Sequence, residues 1–149
     1  MIRKLYKKDH IVTSVVAVIL DNDGRVLLTK RSIPPFQNLW VMPGGAINLG
    51  ESIPGALKRE VREEVGLEIE VEGLIDVFEH LAPGEENCHY VILYYRCRAL
   101  SLNMALNEHE VAEASWVSRN LLNNYTIPAG ARFILEKVFP GLSLQIQLQ

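Results

Sequence analysis

The chain is short of basic charge, of cysteine and of long apolar runs, and each shortage excludes a class of function. Fifteen Lys and Arg stand against eighteen Asp and Glu, a net charge of −3. A dedicated nucleic-acid binder draws most of its affinity from neutralising phosphates, which calls for a basic excess. There is none here, and no basic cluster is longer than Lys7-Lys8. The two cysteines, Cys88 and Cys97, fall on one expected strand. Nine residues of strand span about 30 Å, far beyond disulfide reach, so free thiols and a reducing compartment are expected. The longest uncharged apolar run, Thr13 to Leu20, is too short to cross a bilayer, and the N-terminus has no apolar signal-peptide region. These absences predict a cytoplasmic protein with neither nucleic acid nor membrane as partner.

Internal repeats, low-complexity segments and Pro/Gly/Ser-rich linkers are also missing. What is there is ordinary for a globular protein: 149 residues, 48% apolar and 22% charged. A chain of this length buries roughly 70% of its unfolded surface, so no disulfide or metal is needed to hold a core. One domain over residues 1–149 is expected.

Residues 11–20, IVTSVVAVIL, are β-branched and read as a buried strand. Asp21-Asn22-Asp23-Gly24 is an Asx-Gly turn, and Arg25 to Arg31 returns as a second strand, predicting a hairpin. A short strand at Leu39–Met42 follows a loop and runs into Pro43-Gly44-Gly45. Ser52 to Val65 reads as a helix, with Ser52 as N-cap, Pro54 in the first turn and Gly66 as the left-handed stop. Strands are expected at Glu68–Glu79, His89–Leu100 and Val111–Val117. Ser118 is expected to cap a helical turn through Leu122, and Ala129–Phe139 to form a closing helix. Two helices among strands in mostly hairpin order predict an α+β or α/β/α sandwich built on a mixed sheet.

The chemistry concentrates in the first helix. At 100° per residue, Glu60, Glu63 and Glu64 share one helix face. Like charges at these spacings cost a helix roughly 0.2–0.5 kcal/mol per pair, and the macrodipole disfavours anions near the C-terminus. Something positive should compensate, and converging carboxylate oxygens are what hard divalent cations select. Gly44-Gly45 can bring backbone close to a ligand. Glu51 is placed to pair with Arg59 and tie the incoming loop to the helix.

From Gly45 to Leu67 the chain resembles the box of the Nudix (MutT-like) hydrolases, G-x5-E-x7-R-E-U-x-E-E-x-G-U with U aliphatic, at every specified position. Average residue usage makes a chance match on the order of one in ten million. The upstream hairpin, the KRS…P…LWVMPGG lead-in and the later ASWV strand are also similar to the family. The resemblance implies an α/β/α sandwich with a mixed sheet and the catalytic helix packed on it. It also implies hydrolysis of a nucleoside diphosphate linked to another group. On this sequence Glu60, Glu63 and Glu64 would ligate Mg²⁺, or Mn²⁺ as a substitute, with a carbonyl of Gly44 or Gly45 as a further ligand. Glu51 and Arg59 would be structural. The general base would be a box glutamate or one from the NEHE loop, where Glu110 is favoured over Glu108, His109 and Glu113.

The box says little about the substrate beyond a small nucleotide. Pro83 resembles the downstream proline of ADP-ribose pyrophosphatases. The stretch CHYVILYYRCRA, the NEHE loop and IPAGARFILEK are similar to GDP-mannose mannosyl hydrolases and nucleoside-triphosphate pyrophosphatases. A complete box points to attack at phosphorus. Glycosyl hydrolysis of the GDP-mannose type and a non-catalytic nucleotide sensor are the alternatives. Phe36, Trp40, His80 and Tyr90 are candidates to stack on a base. Oligomeric state is not legible from the residues, and a homodimer is left open.

Overall fold

The computed structural model describes residues 10–34, 36–82 and 88–145. Seven strands form one mixed sheet: β1 (Val12–Leu20), β2 (Val26–Arg31), β3 (Trp40–Val41), β4 (Gly44–Ala46), β5 (Ile69–Ala82), β6 (Cys88–Ala99) and β7 (Val111–Val117). Helix α1 (Ile53–Val65) covers one face and α2 (Ala129–Val138) the other. This is the sandwich that the pattern of elements predicts. Both cysteines are buried, and the Cys97 thiol is free. Among the described residues no helix is long and apolar enough to cross a membrane.

The central strand is β1. It runs parallel to β6 over its whole length, Val12↔Tyr90 to Leu20↔Arg98, and β6 runs antiparallel to β5. The expected β1–β2 hairpin is real only at its turn, because Leu20↔Val26 is its one paired position. Beyond it the sheet forks. The inner edge of β1 passes to β4 at Ser14–Val16, and the inner edge of β2 passes to β3 at Thr29 and Lys30. The segment from Trp40 to Ala46 therefore wedges the two branches apart. Its second strand, β4, was not expected, since Gly-Gly has no β propensity of its own and is drawn into the sheet by β1.

Helix α1 forms where local signals place it. The Ser52 hydroxyl accepts from the Gly55 N–H at 3.0 Å, and Gly66 ends the helix at φ 73°. Ala56, Leu57, Val61 and Val65 are fully buried against Val15, Ala17, Ile19 and Leu27. Each large apolar side chain buried here contributes about 1.5–3 kcal/mol before its entropy cost. The second face is less finished. Ser118 makes no side-chain cap for the short 3-10 turn at Arg119–Asn124, and Pro128 none for α2.

Candidate active site

Two carboxylates occupy positions in α1 that its burial pattern reserves for apolar residues. The buried positions are Ala56, Leu57, Glu60, Val61, Glu64 and Val65, and Glu60 and Glu64 are only 0% and 3% exposed. Burying an ionised carboxylate without compensation is expensive, so such a pair calls for protons or cations. Burial, reinforced by the charge of Glu60 and a hydrogen bond with it, holds the Glu64 carboxyl well above the usual carboxylate range. Arg31 opposes that shift and Glu110 adds to it, which places both near Glu64.

Glu63 stands at the edge of the expected trio. Residues 63 and 64 are adjacent, hence about 100° apart around the helix, and only one of them can face inward. The Glu63 side chain is 48% exposed and turns to Arg59 Nη1 at 3.3 Å. The convergence in the fold is therefore of two carboxylates with the third at the rim. Among the described residues no three His, Cys, Asp or Glu side chains already form a metal-holding cluster.

Arg59 joins these parts. Its Nε and Nη2 donate to the two Glu51 oxygens at 2.6 and 2.8 Å, so the pairing the sequence suggests is bidentate in the fold. Nη1 also donates to Glu60 Oε1 at 2.7 Å, and Nη2 to the Ala46 carbonyl at 3.1 Å. One guanidinium thus fastens the incoming loop, the β4 backbone and the buried carboxylate together. Those hydrogen bonds and charges hold the Arg59 proton still more firmly than usual.

The backbone of Gly45 lies against Glu60. A Cβ added there would come within 2.6–2.7 Å of the carboxylate atoms. An all-oxygen donor set, two buried acids and a backbone pressed onto one of them fit a hard divalent cation. Glu60 and Glu64 would hold it from within, Glu63 from the rim, and the carbonyls of Gly44 or Gly45 from β4.

Glu110 reaches the site through the loop after β6. Asn107 donates its N–H to the Glu64 carbonyl at 2.9 Å. Its side-chain amide donates to Glu110 Oε2 at 3.1 Å. Gly44, Gly45, Glu110 and Arg31 line one cavity of about 170 Å³. His109 is exposed and lies outside the cavity lining. Of the four aromatic candidates, Phe36, His80 and Tyr90 line the cavity, whereas Trp40 packs edge-on against Tyr125. Pro83 lies outside the described residues. Sequence reasoning missed Arg31, Tyr94 and Gly130 in the lining. Tyr94 was within reach, because the period-2 rule puts it on one strand face with Tyr90 and Ile92.

The NUDIX domain family model matches residues 10–138. Over 131 residues the chain is 29% identical to the nucleoside triphosphatase NudI of Enterobacter sp. (strain 638), covering 80% of this chain and 91% of the relative. A shorter match, 38% over 60 residues, is to an ADP-ribose pyrophosphatase of Methanocaldococcus jannaschii, covering 40% of this chain and 36% of that one. Among solved structures, a MutT NUDIX hydrolase from Burkholderia pseudomallei superposes with a TM-score of 0.77 at 26% identity, covering 88% of this chain and 100% of that one. The family match takes in both helices and the forked sheet, and the chain belongs to the Nudix (MutT-like) hydrolase family.

Proposed function

We propose that this enzyme cleaves the diphosphate linkage of a nucleoside diphosphate derivative by attack of water at phosphorus, with Mg²⁺ as its cation and Mn²⁺ as a substitute. The observation that carries the reading is the pair of buried carboxylates, Glu60 and Glu64, set in apolar helix positions and pressed on one side by the Gly45 backbone. Beyond the Arg59 pairing with Glu60, the apolar packing of α1 does not call for acids there. When bound, a divalent ion neutralises the diphosphate and lowers the pKa of water. Substrates in keeping with the relatives are a nucleoside triphosphate, giving the monophosphate and pyrophosphate, or a nucleotide sugar such as ADP-ribose.

Glu110 is the group we assign to take the proton from the attacking water. It lines the cavity and Asn107 steadies one of its oxygens, which leaves the other for a proton. Arg31 lines the same end and supplies positive charge toward the phosphate chain. Arg59 holds Glu60 and the β4 backbone in place and is not expected to touch the reacting atoms. His109, exposed outside the cavity, has no part in this scheme.

The test is hydrolysis in ¹⁸O-water with Mg²⁺ over a panel of nucleoside triphosphates and nucleotide sugars. Label is expected in a phosphate-containing product. Label in a free sugar hydroxyl would move the reaction to glycosyl hydrolysis, and binding without turnover across the panel would make the protein a sensor.

A further inference from the structure

One stretch of the cavity wall carries hydrogen-bond donors that the hydrolytic scheme leaves idle. Ala129, Gly130 and Ala131, the start of α2, line the cavity beside Tyr94. The first intrahelical bond of α2 is from Arg132 N–H to the Pro128 carbonyl. The N–H groups of the three preceding residues therefore have no helical acceptor, and Pro128 offers no side-chain cap. Among the described residues nothing else accepts from them.

Tyr94 adds an independent sign of a ligand. It is only 5% exposed, and its hydroxyl has no hydrogen-bond partner among the described residues. A hydroxyl that opens on the cavity and that no protein group satisfies is available to a ligand. Burial alone holds the phenol proton well above its usual range, so the group remains able to donate. Gly130 sets the spacing, since a Cβ there would lie 3.1 Å from the Tyr94 oxygen and 2.8 Å from Phe78 Cδ2. Only a bare backbone lets the helix start close in on both rings.

The rest of the lining selects the kind of acceptor. Val16, Met42, Phe78 and Ile92 make this wall apolar. A phosphate would be desolvated there at far greater cost than a neutral carbonyl. The aromatic side chains form a chain across the cavity, with Phe36 to His80 centroids 5.4 Å apart and His80 to Tyr90 centroids 6.2 Å apart. Phe36 holds φ 63°, a strained conformation for a bulky residue and one that clusters at functional sites. The cavity volume is of the order of one that admits a single aromatic ring, roughly 150 Å³.

We propose that the cavity binds a nucleobase with its keto oxygen received by the Tyr94 hydroxyl and the free N–H groups of α2, and its ring against Phe36, His80 and Tyr90. The protein would then select guanine, uracil or thymine nucleotides over those of adenine and cytosine. This rests on the nucleotide reading above. An exocyclic amino group at the same spot presents N–H donors to backbone donors, leaving both sides unpaired.

The test is an NMR titration of the ¹⁵N-labelled protein in EDTA with deoxyguanosine, adenosine, uridine and cytidine, which needs neither metal nor turnover. Deoxyguanosine and uridine should shift the Gly130 and Ala131 amides and bind about tenfold more tightly than adenosine and cytidine. Tyr94→Phe should weaken the two keto nucleosides by about three- to tenfold and leave the amino pair within about twofold. Gly130→Ala should weaken all four. Equal affinities, amides that no nucleoside shifts, or a Tyr94→Phe loss shared by all four would each overturn the proposal. Inorganic phosphate shifting the same amides, with sensitivity to Tyr94→Phe, would make this an anion site instead. Selectivity without ¹⁸O incorporation would fail the hydrolytic reading alone, and hydrolysis without selectivity would fail the base assignment alone.

Discussion

The two faces of the sheet are finished to different degrees. Under α1 the helix is capped at both ends and Ala56, Leu57, Val61 and Val65 are fully buried, with Arg59 tying loop, strand and helix together. Under α2 the helix starts on a proline without a side-chain cap, Phe133 stays 40% exposed, and a cavity opens between helix and sheet. The difference separates two tasks. The carboxylates proposed to hold the cation, Glu60 and Glu64, sit on the face where neighbours fix them, whereas Glu110 and Arg31 line the cavity on the other face. The groups proposed to choose the nucleotide sit on the less finished face, beside the uncapped start of α2.

The contrast breaks most sharply at Glu64. On the dense face a substitution should normally cost stability, but Glu64→Gln removes a buried acid from beside Glu60. Turnover should fall by at least about a hundredfold, through lost charge stabilisation at the phosphoryl group. The melting temperature should hold or rise. Activity within a few-fold of the parent would end the assignment.

Glu51→Gln is the opposite kind of change, since it weakens the scaffold and spares the chemistry. Losing the charged bidentate partner of Arg59 should destabilise the protein by about 1–3 kcal/mol and lower turnover by about tenfold. Chemical denaturation beside steady-state kinetics checks both. Abolished activity at unchanged stability would put Glu51 at the reacting atoms.

Density on the α1 face also has a titration signature. Burial, with Glu72 adding, pushes the Cys97 thiol from 9 up to about 12. Between those values the unfolded chain has released a proton that the native state keeps. Stability is therefore lost as pH rises from about 9 to 12, with a slope of up to about 1.4 kcal/mol per pH unit from this group. Cys97→Ala should flatten that slope in melting curves, and the native thiol should resist alkylation at pH 8. The smallest effect is expected at His109, exposed and outside the cavity, where His109→Ala should keep at least about a tenth of the activity, because a general base contributes 10²–10⁴-fold. A larger loss in steady-state rates would bring the NEHE-loop histidine into the mechanism.

Legibility in the sequence followed the range of the interactions. Helix α1 was readable because Ser52, Pro54 and Gly66 act within a turn of where they stand. The Glu51–Arg59 pair and the clustering of Glu60 with Glu64 were readable because they depend on spacing along one loop and helix. Strand β4 was not, since Gly44–Ala46 becomes a strand only through β1, some thirty residues upstream. Glu63 lies at the rim, 48% exposed, because a broad helix face extends beyond its buried stripe. The donor wall joins Tyr94 on β6 to Gly130 on α2, and no local pattern links them. Trp40, one of the aromatic candidates, packs edge-on against Tyr125, a contact some eighty-five residues away that no local pattern announces.

A split in a sheet normally leaves raw edges, rows of unpaired N–H and C=O groups on which another chain can build a strand. Here the wedge between β1 and β2 closes the split with its own backbone: β4 takes the edge of β1, β3 takes the edge of β2, and the Pro43 carbonyl accepts from the Ala17 N–H. The gap between β1 and β2 is hemmed on both sides. The protein can keep a gap at the centre of its sheet without offering neighbouring molecules a template for aggregation.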